Sequence, residues 1–199
     1  MKKLILSLIL TITTSFVISQ TLPDSPKKLK SLPLGTKVPD TEIALFSGKN
    51  MSTDKLFDIK QTILVVYRGG WCPFCNRQLS GLAKIKDDLL SLGYQLVVVS
   101  PDSRSTVESK RYSQNYIVAS DYNTQLIKNL GVAYQAPKKL SKTLKKYSNG
   151  RNSSVIPAPS VFILNNDGEI LFKFVSTNFK KRISSELLLS IAEDYKEEN

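Results

Sequence analysis

The chain has 199 residues, 41% of them hydrophobic, with a formal charge of +11, two cysteines and no histidine. That length suits one domain with a proper core, and without histidine any redox chemistry has to pass through Cys72 and Cys75. The basic balance could favour nucleic acid or an anionic membrane, but no nucleic-acid-binding motif is present, and the lysines at 138, 139, 142, 145 and 146 read as solvated surface.

Met1-Lys2-Lys3, an apolar stretch over residues 4–18 and then Ser19-Gln20 predict a secretory signal over residues 1–19, cleaved before Gln20. The apolar stretch is shorter than the roughly 18 residues of a spanning helix and carries Ser7, Thr11, Thr13, Thr14 and Ser15, so a membrane anchor is disfavoured. No cysteine follows it, which excludes lipid attachment there. Export fits a cysteine pair, because disulfides persist in oxidising compartments, periplasmic or extracellular.

Residues 20–38 are rich in Pro, Ser and Lys and read as a flexible N-terminal arm, leaving residues 39–199 as the folded domain. A first strand is expected at 41–46 and a buried one at 62–67. A helix follows from 76 to about 92, with Leu79, Leu82, Ile85, Leu89 and Leu92 at helical spacing. Residues 94–100 read as a wholly apolar strand of the parallel, doubly covered kind. Ser100-Pro101-Asp102-Ser103 then caps a polar helix running to about 115. A short strand at 116–120 precedes a helix over 121–130, closed by Gly131 at its C′ position. Residues 137–150 form a lysine-rich helical insertion. Strands at 160–164 and 169–175 flank Asn165-Asn166-Asp167-Gly168, a hairpin signal. A final amphipathic helix from Ser184 or Ser185 carries Leu187, Leu188, Ile191 and Tyr195. Strands alternating with helices, then a hairpin and a helix, give an α/β sandwich.

The segment Trp71-Cys72-Pro73-Phe74-Cys75 therefore sits where a strand ends and a helix begins, after the turn Arg68-Gly69-Gly70. Unpaired N–H groups at a helix start stabilise an anion, so Cys72 is expected to have a lowered pKa. Pro73 suits the first helical position, and Arg68 would add positive charge. Three duller readings compete. A structural disulfide closing so small a loop would stabilise little. Two thiolates supply half a zinc site. Two inert buried thiols sit poorly with the polar, glycine-rich approach.

The chain resembles the thioredoxin superfamily, and more closely the peroxiredoxin-like branch of the alkyl hydroperoxide reductase/thiol-specific antioxidant family. The residues that carry the likeness are Tyr67-Arg68-Gly69-Gly70-Trp71-Cys72-Pro73-Phe74-Cys75, Ser100-Pro101-Asp102-Ser103, Ser120-Asp121-Tyr122-Asn123, Leu130-Gly131-Val132 and Pro157-Ala158-Pro159-Ser160. The resemblance implies a thioredoxin-like α/β fold, a central mixed sheet with helices on both faces. It implies that Cys72 attacks, that Pro159 is a cis-proline facing the pair, and that the Ala158 backbone pairs with a thiol partner. Three positions depart from the family patterns. Gly69 stands where peroxiredoxins place a Thr or Ser, Pro159 aligns with their active-site Arg, and Val66 replaces the buried acid of thioredoxins. Arg68 or Arg151 could supply the missing guanidinium.

The function expected is a thiol oxidoreductase without cofactor or metal, reducing peroxides through Cys72 and Cys75 with Arg68 and Pro159 in the site. Its partners would be a peroxide or disulfide substrate and an external thiol reductant, a thioredoxin-like protein or a small thiol. No nucleic acid is expected, nor stable membrane insertion after signal cleavage. A thioredoxin-type disulfide reductase is the alternative, and a non-catalytic module docking its basic insertion on an acidic partner is the third.

Overall fold

The computed structural model describes residues 21–105 and 116–197. The signal segment and most of the polar helix expected up to 115 lie outside those residues. In chain order the first half holds β1 (Glu42–Leu45), β2 (Asn50–Ser52), α1 (Thr53–Phe57), β3 (Thr62–Val66), α2 (Pro73–Leu82), α3 (Lys86–Ser91) and β4 (Gln95–Ser100). The second half holds β5 (Ile117–Ser120), α4 (Gln125–Asn129), β6 (Ala133–Gln135), α5 (Ser141–Tyr147), β7 (Val155–Pro157), β8 (Ser160–Leu164), β9 (Ile170–Val175) and α6 (Ser185–Glu197).

Seven strands form one mixed sheet in the order β2-β1-β5-β4-β3-β8-β9. The strands β3, β4 and β5 run parallel, while β8 and β9 add antiparallel on one side and β1 and β2 on the other. This is the mixed α/β, thioredoxin-like sheet expected.

Alternation along β3 explains its unbroken apolar run. Ile63 and Val65, with Tyr67 just beyond, face one core with Leu79, Leu82, Leu188 and Ala192. Leu64 and Val66 face a second core with Leu126, Ile127, Leu130 and Phe162. A strand covered on both faces favours apolar side chains throughout, and the one polar residue of β3, Thr62 at its start, is hydrogen-bonded to the Lys60 carbonyl and Gln95 Nε2. The cysteines belong to the first of these cores.

Four differences from the expected elements have physical causes. The helix anticipated over 76–92 breaks after α2, where Lys84 and Ile85 donate to carbonyls only three residues back, those of Gly81 and Leu82, before α3 restarts. The apolar spacing survives the break, so periodicity alone could not show it. The arm at 20–38 is pinned to the domain. Gln135 donates to the Pro23 carbonyl (2.8 Å), Leu32 to Leu130 (3.1 Å) and Gly35 to Ile170 (2.8 Å), and Val38 is fully buried. Gly131, at φ 69°, admits this arm, since a Cβ there would stand 2.2 Å from the Lys30 carbonyl oxygen. A small second sheet pairs β6 with β7 antiparallel, bringing Ala133 opposite Pro157. The β1–β2 hairpin and α1 also had no sequence signal strong enough to announce them.

The hairpin at 165–168 forms as expected: Gly168 donates to the Asn165 carbonyl at 3.1 Å, and the Asn165 side chain accepts from Asp167 and Glu169.

Candidate functional site

Cys72 is the N-cap of α2, in extended geometry, and Pro73 takes the first helical position. The Cys72 carbonyl accepts from the amides of Cys75 (3.0 Å) and Asn76 (3.1 Å), and its own N–H donates to Gly69 at 3.1 Å. Asn76 Nδ2 closes the turn on the Gly70 carbonyl at 2.9 Å. Cys75 follows in the first turn of the helix. Both thiols are free, and both are buried, Cys72 at 1% and Cys75 at 0% exposure.

The two sulfurs are electrostatically unequal. The Cys72 thiol is pushed down to about 6, first by a hydrogen bond from the Cys75 side chain, then by the Cys75 amide and the charges of Arg68 and Arg182, against the opposing effect of burial. The Cys75 thiol is pushed well above its ordinary value by that same bond, by burial and by the Cys72 charge. Such a pair holds one proton between two sulfurs and presents Cys72 as thiolate at neutral pH.

Two guanidinium groups reach these sulfurs, one from the turn just before Cys72 and one from 107 residues beyond Cys75. Arg68 Nη1 lies 3.9 Å from Cys72 Sγ. Its guanidinium stacks over Trp71 (5.0 Å to the ring centroid) and over Phe179 (4.6 Å), and the residue is only 7% exposed. Phe179 in turn meets Phe74 edge-on at 5.7 Å. Arg182 Nη2 lies 3.5 Å from Cys75 Sγ, while its Nη1 donates to the Phe179 and Lys181 carbonyls at 2.5 and 2.7 Å. The loop between β9 and α6 thus covers the cysteines with an aromatic ring and a cation.

On the other side, Trp71 packs against the buried cluster of Tyr134, Ala136, Leu144, Ile156 and Ala158, to which the lysine-rich insertion contributes Leu144. Asp102, just past β4, accepts the Gly70 amide at 2.7 Å and is 2% exposed. Burial raises its carboxyl to about 7, with the Cys72 charge adding to the effect and the Gly70 amide and Trp71 indole opposing it. Gly69, at φ 141°, faces both groups. A Cβ there would lie 2.3 Å from Trp71 Nε1 and 2.6 Å from Asp102 Oδ1. The space a Thr or Ser would need is filled.

Of the site residues expected, Cys72, Cys75 and Arg68 come together, and two expectations are corrected. Val66 pairs with Ser160, so Pro159 does lie at the same end of the sheet as the turn before Cys72. However, no peptide bond among the described residues is cis, so Pro159 is a trans proline. The Ala158 amide is not free for a partner either, because it donates to the Val132 carbonyl at 2.9 Å beside the β6–β7 pair. That small sheet occupies the edge a thiol partner would have used. Arg151 is elsewhere, stacked over Tyr122 at 4.2 Å beside a cavity of about 380 Å³ that it shares with Arg104. Arg182 and Phe179 carry no signal in the sequence, and neither does the contact of Asp102 with the turn before Cys72. Asp102 lies in Ser100-Pro101-Asp102-Ser103, whose local pattern speaks only of a helix cap, and Arg182 lies 107 residues from Cys75. No cluster of three or more potential metal ligands occurs among the described residues.

The AhpC/TSA family model matches residues 34–173. No curated protein sequence matches the chain. Among solved structures, reduced Prx3 from Vibrio vulnificus superposes with a TM-score of 0.69 at 16% identity, covering 81% of this chain and 99% of that one. AhpC from Enterococcus faecalis gives 0.62 at 19% identity, covering 82% and 92%. Peroxidoxin BcpB from Mycobacterium tuberculosis gives 0.59 at 16%, covering 83% and 94%. At these identities the structures speak for the fold, and the family match, which spans the strand, the turn and both cysteines, speaks for the rest: the chain belongs to the AhpC/TSA family, as a peroxiredoxin-like thiol oxidoreductase of thioredoxin fold.

Proposed function

We propose that the protein is an exported thiol peroxidase that reduces peroxides through a Cys72–Cys75 dithiol/disulfide cycle. The observation that carries this reading is the unequal pair of sulfurs, one pushed down to about 6 and the other held protonated beside it. The Cys72 thiolate attacks the terminal oxygen of a hydroperoxide. The O–O bond breaks, the sulfur gains OH as a sulfenic acid, and the departing oxygen takes one proton and leaves as alcohol or water. The Cys75 thiol then attacks the sulfenic sulfur, releasing water and closing the disulfide. Arg68, fixed 3.9 Å from Cys72 Sγ, stabilises the thiolate and the negative charge growing on the departing oxygen. Arg182, 3.5 Å from Cys75 Sγ, eases loss of the Cys75 proton in the second step.

The cycle needs an outside thiol, a thioredoxin-like protein or a small thiol, to reopen the disulfide. Export rests on the signal pattern of residues 1–19, and an oxidising compartment is where such a disulfide persists. Burial of both sulfurs supports a small substrate, since a peroxide fits where a protein disulfide does not. Disulfide exchange is the competing reading, favoured by the Cys-x-x-Cys spacing. The engaged Ala158 amide weighs against it.

Trp71, the only tryptophan, reports on the reaction. Reduced protein lacking residues 1–19 is mixed with hydrogen peroxide, and separately with a small disulfide, while fluorescence is followed. A rapid, Cys72-dependent change with peroxide, and one added oxygen on Cys72 in Cys75→Ser, are expected. Sluggish peroxide reaction beside rapid disulfide exchange would overturn the peroxidase reading.

A further inference from the structure

The cavity that Arg104 and Arg151 share has no lining residue in common with the cysteine site, and the chemistry above leaves it unused. Its volume of about 380 Å³ is that of a site for a small organic molecule. Ser103, Ser105, Tyr122 and Asn149 line it beside the two arginines, and no carboxylate does. Neither arginine forms an ion pair among the described residues.

The fold fixes both cations without neutralising them. Arg104 Nη1 donates to the Gly48 carbonyl (3.0 Å), and its Nη2 to the Lys49 carbonyl (3.2 Å) and Asn50 Oδ1 (2.9 Å). These acceptors are uncharged, and Arg104 Nε is buried without a partner. Arg151 is delivered by the turn after α5. Asn149 (φ 55°) and Gly150 (φ 84°) reverse the chain, and Gly150 donates to the Lys145 carbonyl at 2.7 Å. The buried Ser148 hydroxyl then accepts the Asn152 backbone N–H at 2.8 Å. The Arg151 guanidinium lies over the Tyr122 ring, 4.2 Å from its centroid. It makes no hydrogen bond among the described residues, so its planar fork of donors is unspent.

The neutral groups add donors. Asn50 is already engaged, since its Nδ2 goes to Glu42 at 3.1 Å. Ser103 and Ser105 share one hydrogen bond at 3.2 Å, which leaves one of their two hydroxyl protons for a ligand. Tyr122 and Asn149 bring an O–H and an N–H₂ to the same space. The surroundings are basic as well. From residue 122 to residue 166 the sequence has no acid, and Lys142, Lys145 and Lys146 stand exposed on α5. Such a field concentrates anions at the cavity.

We propose that this cavity is a binding site for a phosphate group, carried by a small organic phosphate or by a lipid headgroup. The Arg151 fork takes two phosphate oxygens, and Arg104 supplies the second positive charge. The hydroxyls and the Asn149 amide serve the remaining oxygen. A phosphate monoester near pH 7 carries close to two charges and three acceptor oxygens, which matches two cations with neutral donors around them. A carboxylate, with one charge and two oxygens, leaves one guanidinium uncompensated. The site does not depend on the peroxidase reading.

The test is calorimetric titration of the full chain with inorganic phosphate and with glycerol phosphate, against acetate at matched ionic strength. Both phosphates should bind at least about tenfold more tightly than acetate. Arg151→Gln, at an exposed position, should weaken phosphate by roughly ten- to a hundredfold, as the loss of charge-assisted hydrogen bonds does. Lys142→Gln removes an equal charge outside the cavity and, through screening, should weaken it by less than about twofold. Sedimentation with vesicles of phosphatidylcholine, with and without phosphatidic acid, separates the two sources. Vesicle binding that needs both phosphatidic acid and Arg151 assigns the headgroup, and glycerol phosphate binding without it assigns a soluble phosphate.

Failure of every phosphate probe to bind overturns the proposal, and so does acetate binding as tightly as phosphate. Equal losses in Arg151→Gln and Lys142→Gln also refute it, because diffuse surface charge would then account for the binding. If Arg151→Gln does not fold, the arginine-selective reagent phenylglyoxal on the parent decides the matter. Phosphate should slow modification of Arg151, and an unchanged rate refutes the site.

Discussion

Gly69 stands where the family resemblance places a Thr or Ser, so Gly69→Thr restores the family residue, yet here it is expected to disable the site. Two costs add. At φ 141° a residue with a Cβ is strained, at about 1–3 kcal/mol. The new Cβ would also stand 2.3 Å from Trp71 Nε1 and 2.6 Å from Asp102 Oδ1, forcing both aside, an overpacking cost of about 1–3 kcal/mol. Together about 2–6 kcal/mol is lost from a total that for small domains is about 5–15 kcal/mol. Urea unfolding of the reduced Gly69→Ala and Gly69→Thr variants measures the loss. A double-mutant cycle with Trp71→Ala isolates the indole part of the clash, because removing the indole leaves the backbone strain and the contact with Asp102 in place. The displaced turn should also let the Cys72 thiol drift back toward its ordinary value. A Gly69→Thr protein as stable as the parent and faster with peroxide would refute the reasoning.

Three further outcomes are expected. Alkylation of Cys72 should need the thiolate, so its rate falls as pH drops through about 6 and levels off above about 7. Cys75 should stay unmodified throughout that range, because its proton is held more tightly than usual; mass mapping that finds Cys75 alkylated first would reverse the assignment. Arg182→Gln removes a charge that lowers both thiols, so Cys72 should titrate at higher pH. Disulfide closure after the sulfenic acid forms should also slow, by roughly three- to tenfold, in stopped-flow fluorescence. Pro159→Ala should change peroxide reactivity less than about threefold and stability by under about 1 kcal/mol, since the proline is trans and the Ala158 amide is already engaged. A loss of several orders of magnitude in rate would restore Pro159 to the catalytic set.

The sequence by itself determined whatever depends on neighbours along the chain. Cys72 at a strand-to-helix boundary, Pro73 at the first helical position, the unbroken apolar runs of β3 and β4 and the Asn165–Gly168 hairpin are all local patterns, and each formed where its spacing said. The lowered Cys72 pKa was legible for the same reason, although its largest cause is the Cys75 hydrogen bond rather than the helix start alone. Tertiary structure alone decided what surrounds the sulfurs. Arg182 and Phe179 arrive from the loop after β9, Asp102 from the end of β4, and the Trp71 cover from α5, each across many intervening residues. The engaged Ala158 amide and the docked arm likewise depend on carbonyls and amides of distant segments. Hydrogen-bond and charge energies depend on distance in space, and a linear pattern encodes that distance only within a turn of helix or a strand pair.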